Sequence, residues 1–458
     1  MTRLFGTDGI RGVANADLTP ELAFAVGRAG ATVLAEQSER HKPIVVGRDT
    51  RLSGPMLEAA IAAGMASVGR DVVSVGILPT PAIASIVVRT GAAAGVMLSA
   101  SHNPVADNGI KFFGPDGFKL SDAFEDRIEE LIGQSDLPRP TGTEVGSISA
   151  ALNLGKHYYA QLYDRAEDLS RLTIVVDGAF GAAYAYAPYA LRKLGATVHE
   201  LHCEPDGSRI NVECGATNLR PLQARIRRLA AEGETQVVGV AFDGDADRAM
   251  FVDETAAALS GDHAMLLLAR DLNARGELPR KTVVGTVMSN AGLEETLARD
   301  GITLLRTAVG DRYVLEKMRE ERCVLGGEQS GHIIDFRHNT TGDGPMTAIS
   351  IFGITSRTGK TLHELASDLK VHPQILVNVH SARPDVLQDP EIRRCIVAAE
   401  QLLSGSGRLL IRPSGTEPLI RVMVEGVDRR QIEALAYDLA GRIERASNPQ
   451  GEGIPTLG

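Results

Sequence analysis

Cysteine is scarce in this chain. Its four residues, Cys203, Cys214, Cys323 and Cys395, include no C-x-x-C pair, which speaks against both a disulfide framework and a thiolate zinc site. They read as reduced cysteines. Long apolar runs are also missing, since no stretch reaches the ~18 residues needed to span a bilayer. Arg3, Asp8 and Arg11 interrupt the start before a signal-peptide core can develop. A soluble, cytoplasmic protein is expected. There is no excess of positive charge either: 48 Lys plus Arg stand against 58 Asp plus Glu, a net charge of -10. That balance disfavours nucleic acid or an anionic membrane as the main partner, while leaving room for a local basic pocket.

What is present suits a large globular protein of several domains. At roughly 150 residues per domain, 458 residues make about three compact units, or four if one is small. Apolar residues at 43% and charged residues at 23% exclude overall disorder and fibres.

Strand and helix patterns alternate in three blocks. The first has strands at 44–46, 72–77 and 95–98, with helices at 55–68 and 82–88. The second has strands at 172–176, 197–201 and 237–242, with helices at 182–194 and 222–231. The third has strands at 283–287, 302–305 and 324–325 among helices at 263–275, 292–299, 311–320, 346–357 and 361–369. After residue 370 the order changes to strand 375–379, helix 390–403, strands 408–411 and 419–424 and helix 429–445, which suits a small α+β domain. The Pro/Gly-rich end, 448–458, reads as a flexible tail. Each α/β block ends a buried strand in a polar motif, and ligands of open α/β sheets sit outside the carboxyl ends of strands. The three motifs are therefore candidates for one shared cleft.

Asp243-Gly244-Asp245-Ala246-Asp247-Arg248 places carboxylates at i, i+2 and i+4, a spacing that can converge on one hard cation. Alone, such a run is as often a solvated turn. An EF-hand is disfavoured although Glu254 falls at the twelfth loop position, because Arg248 stands where the sixth-position glycine is needed. An octahedral Mg²⁺ with a phosphate oxygen among its ligands fits better. Ser101, in Ser99-Ala100-Ser101-His102-Asn103-Pro104, sits where a buried strand breaks, and no G-x-S-x-G elbow surrounds it. Lys111 lies on the next short strand. Gly327-Glu328-Gln329-Ser330-Gly331-His332 carries the polar groups of a sugar pocket, though an ordinary polar loop would look similar. Arg412-Pro413-Ser414-Gly415-Thr416-Glu417-Pro418, with Arg421 beyond, offers the donors a phosphate monoester needs. The 353–361 segment imitates a Walker A loop, but its spacer is one residue too long and the preceding segment reads as helix, so it is a turn between two helices.

Taken in order, these four motifs resemble those of the α-D-phosphohexomutase superfamily over nearly the whole chain. The opening Phe5-Gly6-Thr7-Asp8-Gly9-Ile10-Arg11-Gly12, the Glu-Gln-Ser-Gly-His form of the sugar loop, and residues 285–290 and 309–313 resemble the bacterial subgroup acting on glucosamine phosphate. The resemblance implies three similar α/β domains plus a C-terminal, TATA-binding-protein-like α+β lid around a central cleft, with domains at 1–155, 156–254, 255–370 and 371–447. It implies that Ser101 is the phosphoserine and that Asp243, Asp245 and Asp247, with an oxygen of the phosphorylated Ser101, hold one Mg²⁺. Arg11, His102, Lys111, Arg248 and His332 would serve charge stabilisation and proton transfer. Glu328 and Ser330 would bind sugar hydroxyls, and Arg412, Ser414, Gly415, Thr416 and Arg421 the phosphate that is not reacting.

The expected reaction interconverts glucosamine 6-phosphate and glucosamine 1-phosphate through glucosamine 1,6-bisphosphate. Asn218-Leu219-Arg220 departs from relatives that often carry histidine and proline there, which bears on fine sugar preference, and Pro345 departs without consequence for a helix start. The rival readings are a metal-dependent phosphatase, a sugar-phosphate sensor, and a mutase preferring mannose or glucose phosphate. Oligomeric state stays open, a homodimer included, as does whether a kinase or autophosphorylation loads the serine.

Overall fold

The computed structural model describes residues 3–6, 8–35, 42–134, 136–164, 166–381, 383–413 and 419–447. They form two compact units, Met1–Met288 with Leu297–Asp368, and Ser289–Thr296 with Leu369–Gly458. The tail 448–458 lies outside the described residues.

The first unit holds three mixed sheets on one plan. In the seven-stranded sheet, Ala94–Leu98, Ile44–Arg48, Val72–Ile77 and Ile148–Ala150 run parallel, while Asp107–Phe113, Gly9–Val13 and Phe5–Gly6 extend it antiparallel from the other edge. Ala94–Leu98 is buried throughout, as expected of a strand covered on both faces. Helices Pro20–Ala35 and Gly54–Ser67 share one buried cluster with it, including Val26, Leu57, Ile61 and Val96. In the five-stranded sheet, Thr197–Leu201, Thr173–Asp177 and Val237–Phe242 are parallel, and Ala249–Val252 returns antiparallel against the last of them. The four-stranded sheet repeats this with Thr303–Thr307, Thr282–Thr286 and Leu325–Gly327, then the return strand Ile333–Asp335. In all three sheets the polar motif is the turn between a parallel strand's carboxyl end and its antiparallel return. The repeat of pattern read in the sequence is thus a repeat of hairpin placement.

Two expectations need correction. The helix expected at 182–194 begins only at Tyr186, because residues 178–185 form turns pressed against the 243–248 loop. Ala182 N–H donates to the Gly244 carbonyl at 2.8 Å, and a Cβ on Gly181 would stand 2.4 Å from that oxygen. The helix expected at 361–369 is the short Leu362–Ala366, opened by a Thr361/Glu364 capping box. The Walker-like segment is indeed a helix-to-helix turn, with Gly359 in the left-handed conformation closing Gly344–Thr358. Glu254, the tempting twelfth position of an EF-hand, accepts the Leu362 and His363 N–H groups at 2.8 and 3.0 Å and so caps that helix.

The second unit is an antiparallel sheet in the order Gln374–His380, Leu419–Gly426, Gly407–Pro413, packed with Pro390–Leu403 and Arg429–Ser447 around Val422, Val424, Ile432 and Ile443. This is the α+β arrangement expected. Among the described residues, no helix is long and apolar enough to cross a membrane. All four cysteines are unpaired.

Candidate active site

Ser101 follows the buried strand Ala94–Leu98 and is itself 1% exposed, with φ +53. A non-glycine residue in that region is strained and must be held by its surroundings. Arg51 does the holding. Its guanidinium is fully buried and donates from Nε to Asp49 at 3.0 Å, from Nη2 to the carbonyls of Ser101 and Asn103 at 3.0 and 2.8 Å, and from Nη1 to those of Asp107 and Pro104. One rigid fork thus fixes four carbonyls of the serine loop. Asn211, from the second block, donates to the Ser101 carbonyl at 2.9 Å.

The two serines differ in partners. Ser99 Oγ donates to Asp49 Oδ2 at 2.6 Å and accepts the Ser101 N–H at 2.9 Å. Ser101 Oγ instead donates to Asp243 Oδ2 at 2.5 Å and has His102 Nδ1 at 3.4 Å.

Asp243, Asp245 and Asp247 are buried and each offers an oxygen within 4.8 Å of the others. Asp245 Oδ2 accepts from Thr80 Oγ1 at 2.6 Å and Lys111 Nζ at 2.9 Å, and Asp243 Oδ1 accepts the Arg248 N–H at 3.2 Å. Asp245 Oδ1 and Asp247 Oδ1 are buried without a hydrogen-bond partner among the described residues. Orphaned carboxylate oxygens cost free energy unless something else satisfies them, so this donor set fits a hard divalent cation. Burial, with Asp247 and Asp245 adding repulsion, pushes the Asp243 carboxyl well above the usual range. Burial works the same way on Asp247, yet His332, Lys111 and Arg248 hold it below that range.

Lys111 is 2% exposed, and burial would strip its charge, but Asp245, Asp8 and Asp247 at 2.9, 3.0 and 3.7 Å keep its pKa raised. Arg11, on the antiparallel strand Gly9–Val13, donates to Asn103 Oδ1 at 3.1 Å and to Asp8. Burial, Arg248 and Arg11 bring His102 down to about 4, so it is neutral near pH 7.

An isolated bridge pairs Arg248 with His332 and joins the carboxylate loop to the third motif. His332 is buried, with Nδ1 3.5 Å from Asp247 Oδ2 and Nε2 accepting the Gly342 N–H at 3.2 Å. In the neutral ring this contact leaves the proton on Nδ1, facing Asp247. Burial pulls this imidazole down, but Asp247, Asp311 and Glu328 outweigh it and raise it to about 8. Glu328 Oε1 accepts the Gly310 N–H at 3.1 Å, and Ser330 Oγ lies 3.4 Å from Glu328 Oε2.

The fold thus gathers Arg11, Ser101, His102, Lys111, Asp243, Asp245, Asp247, Arg248 and His332 through shared contacts, and links Glu328 with Ser330. Arg412 and Arg421 belong to the second unit, where they face each other in register across the antiparallel pair Gly407–Pro413 and Leu419–Gly426. Burial and Arg421 lower the Arg412 pKa. Directly opposed like charges repel, and an anion between them would relieve it. Ser414, Gly415 and Thr416 lie outside the described residues.

Sequence reasoning missed Asp49, Arg51, Thr80, Lys119 and Asp311. Lys119 binds both Asp8 and Asp311 and so ties the first block to the third. Arg51 had a signal, since Gly47-Arg48-Asp49-Thr50-Arg51 is also a polar motif at the carboxyl end of a buried parallel strand. Asp49 lies in that same motif and Asp311 in the 309–313 stretch, whereas Thr80 and Lys119 carry no signal, for nothing in sequence separates them from solvated residues.

Four domain models of the phosphoglucomutase/phosphomannomutase family match the chain in order: alpha/beta/alpha domain I over residues 2–139, domain II over 156–257, domain III over 260–371 and the C-terminal domain over 376–442. A phosphoglucosamine mutase of Thermoanaerobacter pseudethanolicus is 50% identical over 453 residues, covering 98% of this chain and 100% of that one. The crystal structure of a phosphoglucomutase/phosphomannomutase family protein from Burkholderia thailandensis superposes with TM-score 0.82 at 25% identity, covering 99% of each chain. The N-acetylphosphoglucosamine mutase of Aspergillus fumigatus, at 17% identity and TM-score 0.68 over 97% of this chain and 96% of that one, shares the fold. With every domain matched in order and half the residues shared end to end with a phosphoglucosamine mutase, the chain belongs to the phosphoglucomutase/phosphomannomutase family, in its phosphoglucosamine mutase branch.

Proposed function

We propose that the chain is an isomerase that interconverts glucosamine 6-phosphate and glucosamine 1-phosphate, on the route to UDP-N-acetylglucosamine, with Ser101 carrying the phosphoryl group. The observation that carries this reading is the Ser101 hydroxyl lying 2.5 Å from the first of three clustered buried carboxylates. Asp243, Asp245 and Asp247, joined by a phosphoserine oxygen, would hold Mg²⁺, which would neutralise charge on the transferring oxygens. Magnesium is present in the Aspergillus fumigatus complex with GlcNAc-6P.

Phosphorylated Ser101 gives its phosphoryl group to the free hydroxyl at C1 of glucosamine 6-phosphate. The P–Oγ bond breaks, a P–O bond to the sugar forms, and the hydroxyl proton passes to a base of the site. Glucosamine 1,6-bisphosphate then turns around, and Ser101 takes the phosphate from C6, leaving glucosamine 1-phosphate. Arg11, His102, Lys111, Arg248 and His332 serve between them to offset the charge of the transferring group and to move its proton. Glu328 and Ser330 bind sugar hydroxyls. Arg412 and Arg421, with Ser414, Gly415 and Thr416, receive the phosphate that is not reacting. Domain borders fall near residues 155, 254 and 370, and the unpaired cysteines suit a cytoplasmic setting.

Phosphopeptide mapping of the purified chain tests the covalent step. A phosphate on Ser101, lost in Ser101→Ala and kept in Ser99→Ala, is expected; a phosphate on Ser99 overturns the assignment.

A further inference from the structure

A second group of potential ligands stands beside the carboxylate loop and takes no part in the reaction above. Asp177 ends the strand Thr173–Asp177 and is in parallel register with Ala241. His202 follows the neighbouring strand Thr197–Leu201, and Cys214 opens the turn Gly215–Thr217. Each offers one ligand atom within 4.8 Å of the other two. Asp177 and Cys214 are fully buried, whereas the His202 side chain is 25% exposed and leaves a way in from solvent.

His202 and Asp177 already face each other at a distance two ligands of one cation can have. His202 Nδ1 stands 3.1 Å from Asp177 Oδ1, a contact that holds the imidazole pKa above its ordinary value. A separation near that value is the edge of a coordination tetrahedron with bonds of about 2.0–2.3 Å. Asp177 is meanwhile oriented from behind: Oδ1 accepts the Ala179 N–H at 3.0 Å and Oδ2 the Gly215 N–H at 3.1 Å, the support that ligating carboxylates commonly have. Ala179 and His202 both have positive φ, at 53 and 51, a strain concentrated where these three segments meet.

We propose that Asp177, His202 and Cys214 form a binding site for a thiophilic divalent cation of the zinc class, separate from the carboxylates of 243–247. Imidazole and thiolate favour such a cation, whereas Mg²⁺ prefers the all-oxygen set, so the two sites sort metals by softness. On binding, a metal–Sγ bond forms, the Cys214 thiol proton leaves to solvent, and water on the His202 side fills the fourth position. The absence of a C-x-x-C pair hides this site in the sequence, because its ligands come from three separated segments.

Cobalt(II) titration of the full chain in excess Mg²⁺ tests the proposal, since a Co²⁺–thiolate bond absorbs in the near ultraviolet and a carboxylate-only site does not. The intact protein should show a saturable near-ultraviolet band that Zn²⁺ bleaches. Cys214→Ser should abolish it, His202→Ala should weaken Co²⁺ binding by at least about tenfold, and Cys203→Ser should leave it intact. No band in the intact protein, a band surviving Cys214→Ser, or one lost in Cys203→Ser would overturn the proposal. Should Cys214→Ser fail to fold, the His202→Ala variant decides alone, and unchanged Co²⁺ affinity there rejects the site.

Discussion

Of the side chains that hold the strained backbone of Ser101, Arg51 reaches the most carbonyls of its loop, and that dependence can be measured. Arg51→Lys keeps the charge but not the fork that reaches the carbonyls of Ser101, Asn103, Pro104 and Asp107. Displacing the reacting group by about an ångström costs on the order of a hundredfold, so kcat should fall by about that factor with little change in KM. Equal kcat in a folded variant would deny Arg51 its positioning role. Its partner Asp49 gives a pH signature. Burial raises that carboxyl from 3.8 to about 6, against the pull of Arg51 and the Ser99 hydroxyl. The folded state therefore holds the proton more tightly than the unfolded chain. The stability this lends is full below 3.8 and is lost as pH rises through about 6. Relative to Asp49→Asn, the wild-type protein should lose stability as pH rises from about 4 to about 7, read as urea midpoints of both proteins. A difference that stays constant or runs the other way contradicts the assignment. At this scale the motif residues were legible because polar groups at the ends of buried strands are unusual. Thr80 and Lys119 were not, because only the fold brings them to Asp245 and Asp8.

The three motif turns sit at equivalent places because in each sheet a parallel strand is followed by an antiparallel return strand beside it. Those returns were the elements hardest to read. Ala249–Val252 and Ile333–Asp335 are four and three residues long, too short to display a period. Val237–Phe242, buried throughout, announced itself as an apolar run, and the partly buried Val72–Ile77 and the more exposed Thr197–Leu201 also fall where they were expected. The misplaced helix start at Tyr186 has a physical lesson: helix-forming alanines at 182–183 yield to a tertiary contact between Gly181 and the carboxylate turn. Gly181→Ala would push a methyl against the Gly244 backbone, which cannot swing aside as a side chain could. The expected cost is about 1–3 kcal/mol of stability, with weaker Mg²⁺ dependence of turnover, followed by thermal unfolding and by a Mg²⁺ titration of rate. A variant as stable as wild type, with the same Mg²⁺ response, would show that the turn tolerates displacement.

Over the whole first unit, buried polar contacts tie the blocks together. Tyr158 Oη donates to Asp343 Oδ1 at 2.6 Å, and Asn339 Nδ2 reaches both Asp343 Oδ2 at 2.9 Å and the Pro81 carbonyl at 3.1 Å. Lys119 does the same between Asp8 and Asp311. None of these long-range pairs has a local signature, whereas the division into three α/β blocks and an α+β end was visible in the alternation of patterns. Substrate preference belongs to this scale, since Glu328 and Ser330 can recognise hydroxyls common to several hexoses and discrimination rests on how the site as a whole treats the group at C2. Leaving a buried polar group unpaired costs about 1–3 kcal/mol, so selectivity for the amino sugar should be about tenfold to a hundredfold or more. The most direct test is kcat/KM on phosphorylated protein for glucosamine, glucose and mannose phosphates side by side. Glucosamine phosphate turned over best, by at least about tenfold, is the predicted result; equal or better turnover of mannose phosphate would contradict it.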